Sequence, residues 1–249
     1  MPRRHGFQWP WHPWQVLAWL FTALQICLNY LILLQVLSKT RRLVFLCLYT
    51  PTLVCVVLFG GILTARDPTD AVVIKQRKAL AEGRDFPADL YGLICTACGT
   101  SVSPQSKHCA RCDRCVAGFD HHCKWLNNCI GSCNYGTFWL LILSLLLSTG
   151  LQCAFTASAV AKAESLAQGL LGLHLAVTGV EFLGVTQLVV FHAWLWSQGQ
   201  TTYEFIRKRR ERIQPKQEDS HTGLQDSNLT TSYLAPWSCR TSYHSRRSP

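Results

Sequence analysis

Charge is what this sequence lacks over long distances. Among 249 residues there are 14 acidic side chains and 24 Lys or Arg, a net charge of +10. Four stretches, about 15–37, 43–65, 137–161 and 170–196, hold one charged side chain between them, Glu181. A bilayer core needs roughly 20 mostly apolar residues per helix, and each stretch meets that length. Four such runs argue against the alternative, buried helices of a soluble domain. A small-residue cleavage site is also missing after the first run, so the run is expected to be a retained span and not a signal peptide. Trp9, Trp11 and Trp14 before the first run, and Trp194 and Trp196 at the end of the fourth, suit the aromatic belt of a membrane interface. The basic excess can mean nucleic acid or an anionic membrane face; its place beside apolar runs favours the membrane. The expected fold is an α-helical polytopic membrane protein.

Orientation follows from where the basic residues lie. With four spans, both termini and the 66–136 loop share one side, and that side carries 20 of the 24 Lys and Arg. The positive-inside rule puts that side in the cytosol. The first hairpin, with Lys39, Arg41 and Arg42, opposes this locally; the basic tail outweighs it. The expected layout is a cytosolic N-terminus over 1–14, two spans within 15–65, a cytosolic loop over 66–136, two spans within 137–196, and a cytosolic tail over 197–249. The tail is expected to be disordered after about 212, being polar and rich in Ser and Thr.

The loop has too little apolar content to build a core of its own. It has cysteine instead: seven of the chain's 13 lie between Cys95 and Cys129. In the cytosol these are expected to be reduced, which favours metal over disulfides. Repeated CxxC hooks, Cys95–Cys98 and Cys109–Cys112–Cys115, fit tetrahedral Zn²⁺, and bound metal would supply folding free energy. Two closed sites need about eight ligands. The segment offers seven Cys and three His, so two groups are left over. A spare Cys beside a spare His, with Asp120 near, suits nucleophilic catalysis: His takes the thiol proton, Asp orients the imidazole, and the thiolate attacks. Counting alone leaves open which His is spare.

The segment 95–138 resembles the cysteine-rich domain of the DHHC protein S-acyltransferases, or palmitoyltransferases. The spacing is CxxC, nine residues, HCxxCxxC, four residues, the Asp120–Cys123 "DHHC", five residues, Cys129, four residues, Asn134, three residues, Phe138. "TTYE" at Thr201, Thr202 and Glu204, and Asp67-Pro68 after the second run, are further family marks. The resemblance implies that Cys95, Cys98, His108 and Cys115 hold one zinc, and Cys109, Cys112, His122 and Cys129 the other. It implies Cys123 as nucleophile, His121 as its base and Asp120 as the residue that orients His121. The implied reaction is two-step: an acyl group, palmitoyl or similar, passes from long-chain acyl-CoA to Cys123, then to a cysteine of a membrane-associated protein. The implied cofactors are two structural Zn²⁺, with acyl-CoA as co-substrate. Partners are the bilayer and protein substrates, without nucleic acid, and the expected location is an endomembrane, the endoplasmic reticulum or Golgi, with plasma membrane or endosome as the alternatives. Three departures stand out. Lys124 replaces the usual Pro after DHHC, "DPTD" replaces Asp-Pro-Gly, and an aromatic C-terminal motif is missing. A membrane-bound zinc-finger scaffold that works by binding partners is the rival function.

Several residues allow two readings. Ser144 and Ser148 lie six and ten residues past Phe138, so Ser148 is about 15 Å into the third span at 1.5 Å per residue. They can leave room for an acyl chain or mark close helix packing. Glu181 shares a helical face with His174 and Thr178; it marks a functional site, or it hydrogen-bonds Gln25, Asn29 or Gln152. Cys133 falls outside the ligand pattern and is expected to be a loop residue. Arg207–Arg210 is a positive flank or meets acidic headgroups. The Asn228–Thr230 sequon is expected to stay unmodified in a cytosolic tail.

Overall fold

The computed structural model describes residues 2–213; the expected disordered tail and the Asn228–Thr230 sequon lie outside the described residues. Among the described residues, four helices are long and apolar enough to cross a membrane: α1 (Pro13–Val36), α2 (Lys39–Ala65), α4 (Tyr135–Val160) and α5 (Ser165–Ser197). Two shorter helices, α3 (Ala71–Ala81) and α6 (Thr202–Ile213), flank the cysteine-rich region and the chain's last described turns. The helices outrun the apolar stretches by several residues because polar and basic residues complete their ends. Pro13 opens α1 at the first turn, where its missing N–H costs nothing, and the His12 ring accepts from the Trp14 amide. α2 begins at Lys39, so the basic residues of the hairpin occupy its first turn.

The four spans bury little of themselves against one another, and large apolar side chains such as Leu173, Val180 and Leu183 face outward. That surface matches a lipid solvent. The polar residues of the spans turn inward. A π-helical stretch in α1, Leu28–Leu33, sets Asn29 wholly inside the bundle. There the Asn29 Nδ2 donates to Gln152 Oε1 at 2.9 Å and to the Tyr49 hydroxyl at 3.3 Å. Gln25 Nε2 donates to Glu181 Oε2 at 3.1 Å, so Glu181 takes part in an interhelical hydrogen bond, with Gln25 as partner.

Between α2 and α4 the chain forms three small antiparallel hairpins: β1 (Ile94–Cys95) with β2 (Thr100–Ser101), β3 (Lys107–Cys109) with β4 (Arg114–Val116), and β5 (His121–Cys123) with β6 (Asn128–Ile130). Each turns through a residue with positive φ, Gly99, Asp113 and Asn127 in order. Glycine, Asp and Asn are the residues that enter that region at least cost. The hairpins are tied down by buried polar groups. Asn128 Nδ2 donates to the carbonyls of Leu63 at 2.7 Å and Arg66 at 2.8 Å, satisfying the open C-terminal end of α2. Asn134 spans the loop into α4: its Oδ1 accepts from Gly131 N, and its Nδ2 donates to Cys129 O. A cluster of Leu63, Leu126, Ile130, Tyr135, Phe138, Leu141 and Ile142, with Cys123 against it, joins the β5–β6 hairpin to the ends of α2 and α4.

A candidate thiol–imidazole site beside two metal-ligand clusters

Side chains alternate sides along a strand, and that alternation sorts the ligands. On β3, His108 and Cys109 are neighbours, so they face opposite ways. His108 pairs across the hairpin with Cys115, and the two meet Cys95 and Cys98. Cys109 turns instead toward Cys112, His122 and Cys129. Within each set of four, the ligand atoms lie within 4.8 Å of one another. Cys98 Sγ is 3.1 Å from His108 Nδ1 and 3.5 Å from Cys115 Sγ. Cys112 Sγ is 3.3 Å from His122 Nδ1 and 3.5 Å from Cys129 Sγ. Tetrahedral zinc with bonds of 2.3 Å to sulfur and 2.0–2.1 Å to nitrogen implies ligand–ligand edges of roughly 3.5–3.8 Å. Both clusters fit. Cys109 and Cys112, with burial, push the Cys129 thiol far up, because crowded thiolates repel one another.

The same alternation separates the two adjacent histidines. On β5, His122 points to the second cluster and pairs across the hairpin with Cys129. His121 and Cys123, one residue to either side, share the opposite face. His121 meets the Phe138 ring edge to face at 5.4 Å, at the start of α4. Its Nδ1 is 2.7 Å from Asp120 Oδ2. Asp120 is 1% exposed, which makes its remaining partners decisive. Its other oxygen, Oδ1, accepts from the Thr202 amide at 2.9 Å.

That amide comes from the first turn of α6. Thr201 and Glu204 form a capping box: Thr201 Oγ1 accepts from Glu204 N at 3.2 Å, and Glu204 Oε2 accepts from Thr201 N at 3.0 Å. With both ends of the box closed, the Thr202 N–H is an unused donor at a helix N-terminus, a place that favours an anion. Asp120 fills it. Burial opposes ionisation of Asp120, but the His121 ring and the Thr202 amide outweigh it and lower its pKa. For His121 the order is similar: burial lowers its pKa, while Asp120 and Cys123 raise it, to about 9 in all. At neutral pH the imidazole is therefore largely protonated, which is the state it reaches on taking the Cys123 proton. Cys123 is half-buried and accessible beside it, while Lys124 and Trp125 are exposed in the turn that follows.

Three contributors to the site were not singled out from the sequence. His192, 2% exposed on α5, accepts from or donates to the Tyr135 hydroxyl through Nδ1 at 3.1 Å and lies 5.8 Å from His121, ring to ring. Arg114, fully buried on β4, donates to the Arg3 and Arg4 carbonyls at 2.7 Å, to Asp67 at 3.2 Å and to Asn128. It ties Asp67 to the hairpins; Asp67 Oδ1 also accepts from Thr69 N, where the resemblance leads one to expect glycine. The third is the N-terminal segment. Arg3 N donates to Cys112 O at 2.9 Å, and Gly6 N to Thr64 O at 2.7 Å. A Cβ on Gly6 would stand 2.1 Å from the Leu126 carbonyl, so only glycine permits this approach. A lone polar residue in an apolar span was the signal for His192; Arg114 and Gly6 carry none. The two serines fall apart. Ser148 is buried, with Gln152 Nε2 3.4 Å from its Oγ, whereas the half-buried Ser144 gives its hydroxyl to Leu140 O in its own helix.

Residues 91–209 match the family model of the DHHC palmitoyltransferase. The chain is also similar to a probable protein S-acyltransferase 22 of Arabidopsis thaliana, 33% identical over 109 residues, which cover 43% of this chain and 18% of that protein. The chain thus spans about a fifth of the length of the curated relative it matches.

Proposed function

We propose that the DHHC palmitoyltransferase domain at residues 91–209 makes this chain a protein S-acyltransferase that works through a thioester on Cys123. The observation that carries the proposal is the alternation on β5. It gives His122 to a metal cluster and leaves His121 and Cys123 together on the side that packs against the start of α4, with Asp120 held by the first turn of α6. His121 takes the Cys123 proton, and the thiolate attacks the carbonyl carbon of a long-chain acyl-CoA thioester. The C–S bond to CoA breaks, and CoA leaves as the thiol with the proton from His121. In the second step His121 takes the proton of a substrate cysteine. That thiolate attacks the Cys123 thioester, and Cys123 leaves as a thiol. One thioester replaces another at each step, so no external energy source is needed. Placement at the membrane contributes much, since donor and acceptor are both lipid-bound.

Cys95, Cys98, His108 and Cys115 would hold one Zn²⁺, and Cys109, Cys112, His122 and Cys129 the other. Bound there, the metal supplies folding free energy and no bond making. The loop and both termini are cytosolic in this reading, on the side with the basic excess. The location is an endomembrane such as endoplasmic reticulum or Golgi, and the protein substrates are membrane-associated. The acyl chain runs from Cys123 into the bundle toward Ser148. A chase experiment tests the two-step scheme. Purified protein given labelled palmitoyl-CoA alone should gain a hydroxylamine-labile label, and a lipidated cysteine peptide added later should discharge it. Label that reaches the peptide without ever residing on the protein contradicts the scheme.

A further inference from the structure

The Asn and Gln side chains deep in the four spans turn inward to partners, with one exception. Gln25 donates to Glu181, and Asn29 donates to Gln152 and to the Tyr49 hydroxyl. Gln152 also reaches Ser148 Oγ at 3.4 Å. Gln187 on α5 is exposed instead, and it has no hydrogen-bond partner among the described residues. It lies ten residues before Ser197, about 15 Å along the helix, so it faces the middle of a hydrocarbon core of roughly 30 Å. A large apolar side chain such as Leu183 suits that surroundings. An amide there does not, because it gives up its hydrogen bonds to water and gains none from lipid.

The face around Gln187 is spaced for another helix. Gly169, Leu173, Ala176, Val180, Leu183 and Gln187 follow one another in alternating steps of four and three, and all are exposed. A spacing that averages 3.5 residues keeps one seam turned toward a neighbouring helix along its length. Gly169 and Ala176 leave room for close approach, and a Cβ on Gly169, or on Gly184 next to Leu183, would meet nothing. We propose that this face of α5 pairs with the same face of a second copy of the chain, and that the two Gln187 amides hydrogen-bond each other across a two-fold axis. Copies of one chain enter a bilayer the same way up, so their α5 helices run parallel and both Gln187 side chains lie at one depth. An amide carries both donor and acceptor. Each Nε2 therefore donates to the other Oε1, and no partner of different chemistry is needed. One polar residue on an apolar seam also fixes the register of the pair. The seam leaves His192 in place, because that side chain lies on the buried face of α5. The pairing rests neither on the acyl-transfer reading nor on the zinc clusters.

The test uses full-length protein, labelled with donor and acceptor dyes and reconstituted in liposomes over a series of protein-to-lipid ratios. Energy transfer should rise with protein density along the curve of a monomer–dimer equilibrium. Gln187→Leu suits lipid and should fold normally, which zinc content and helical circular dichroism check. It removes both amide bonds at once and should raise the dissociation constant about tenfold. Gln187→Asn, which keeps an amide, should lose less. Ala176→Ile puts bulk into the seam and should weaken pairing by a similar factor, while Leu170→Ala, on α5 but off the seam, should pair like wild type. Monomers at every ratio overturn the proposal and leave the face to a span of another protein. A dimer whose affinity is the same in wild type, Gln187→Leu and Ala176→Ile overturns it as well, since a different face then makes the contact.

Discussion

At the scale of single residues, the two adjacent histidines are the sharpest case. Sequence counting left two groups over and, if one is a His, could not say which His. A β-strand decides it, because neighbours on a strand cannot share a face. His122→Ala should lose the second metal and loosen the hairpins, since a Cys3His site short of a ligand binds weakly. His121→Ala should keep both metals and lose about 10²–10⁴ in acylation rate, the usual worth of a positioned acid–base group. Zinc analysis and a labelling rate on the two purified variants check this; equal zinc loss in both would contradict it. The His121 pKa, raised to about 9 from an ordinary value of 6.5, also has a stability consequence. A raised pKa means that the folded state holds the proton more tightly. The His121–Asp120 pair therefore contributes fully below pH 6.5, and its contribution fades as pH rises toward about 9. Melting temperature of the zinc-loaded protein should fall across that window in wild type, and fall less in Asp120→Asn.

At the scale of elements, α6 matters more than its sequence suggested. "TTYE" was legible as a family mark, and its physical content as a capping box was available from the Thr and the Glu three residues later. What the sequence could not show is that the freed Thr202 amide meets Asp120. That contact needs α5 to return the chain to the hairpins 82 residues further on. Thr202→Pro isolates the contact: proline is tolerated at the first helical position, so α6 should persist while the donor disappears. A hydrogen bond to a charged group is worth about 1.5–3 kcal/mol, so acylation should slow roughly 10- to 100-fold with zinc unchanged. Thr202→Ala, which keeps the amide, should behave like wild type; equal loss in both variants would assign the effect to the side chain. In α4, Ser148 is buried beside the Asn29–Gln152 layer. If the acyl chain ends there, Ser148→Phe should shift preference toward shorter acyl-CoAs. If the serine only allows close packing, activity should fall alike for every chain length. Competition among graded acyl-CoAs separates the two.

At the scale of the whole molecule, the spans were the most legible part, because four runs with a single charge leave few alternatives to a bilayer. Their ends were less so, since Lys39 and Ser165 extend helices past the apolar pattern. The way the parts are joined was not legible at all. Arg114 reads as one more basic loop residue, yet it is wholly buried and links the N-terminal segment, Asp67 and β6. Gly6 reads as an unremarkable residue before a tryptophan-rich stretch. Such residues act through long-range contacts that carry no local periodicity. The two-layer construction has its own consequence. Removing zinc with a chelator should melt the hairpins and open the 91–134 region to protease, while the four spans keep most of their helical circular dichroism, because their backbone bonds are internal and lipid supplies their solvent. The central claim is that Cys123 carries the acyl group and no metal. Purified wild type and Cys123→Ser, given labelled palmitoyl-CoA and assayed for zinc on the same samples, test it most directly. The account predicts a hydroxylamine-labile label on wild type alone, with about two zinc ions per chain in both. Normal labelling of Cys123→Ser, or loss of its zinc, would contradict it.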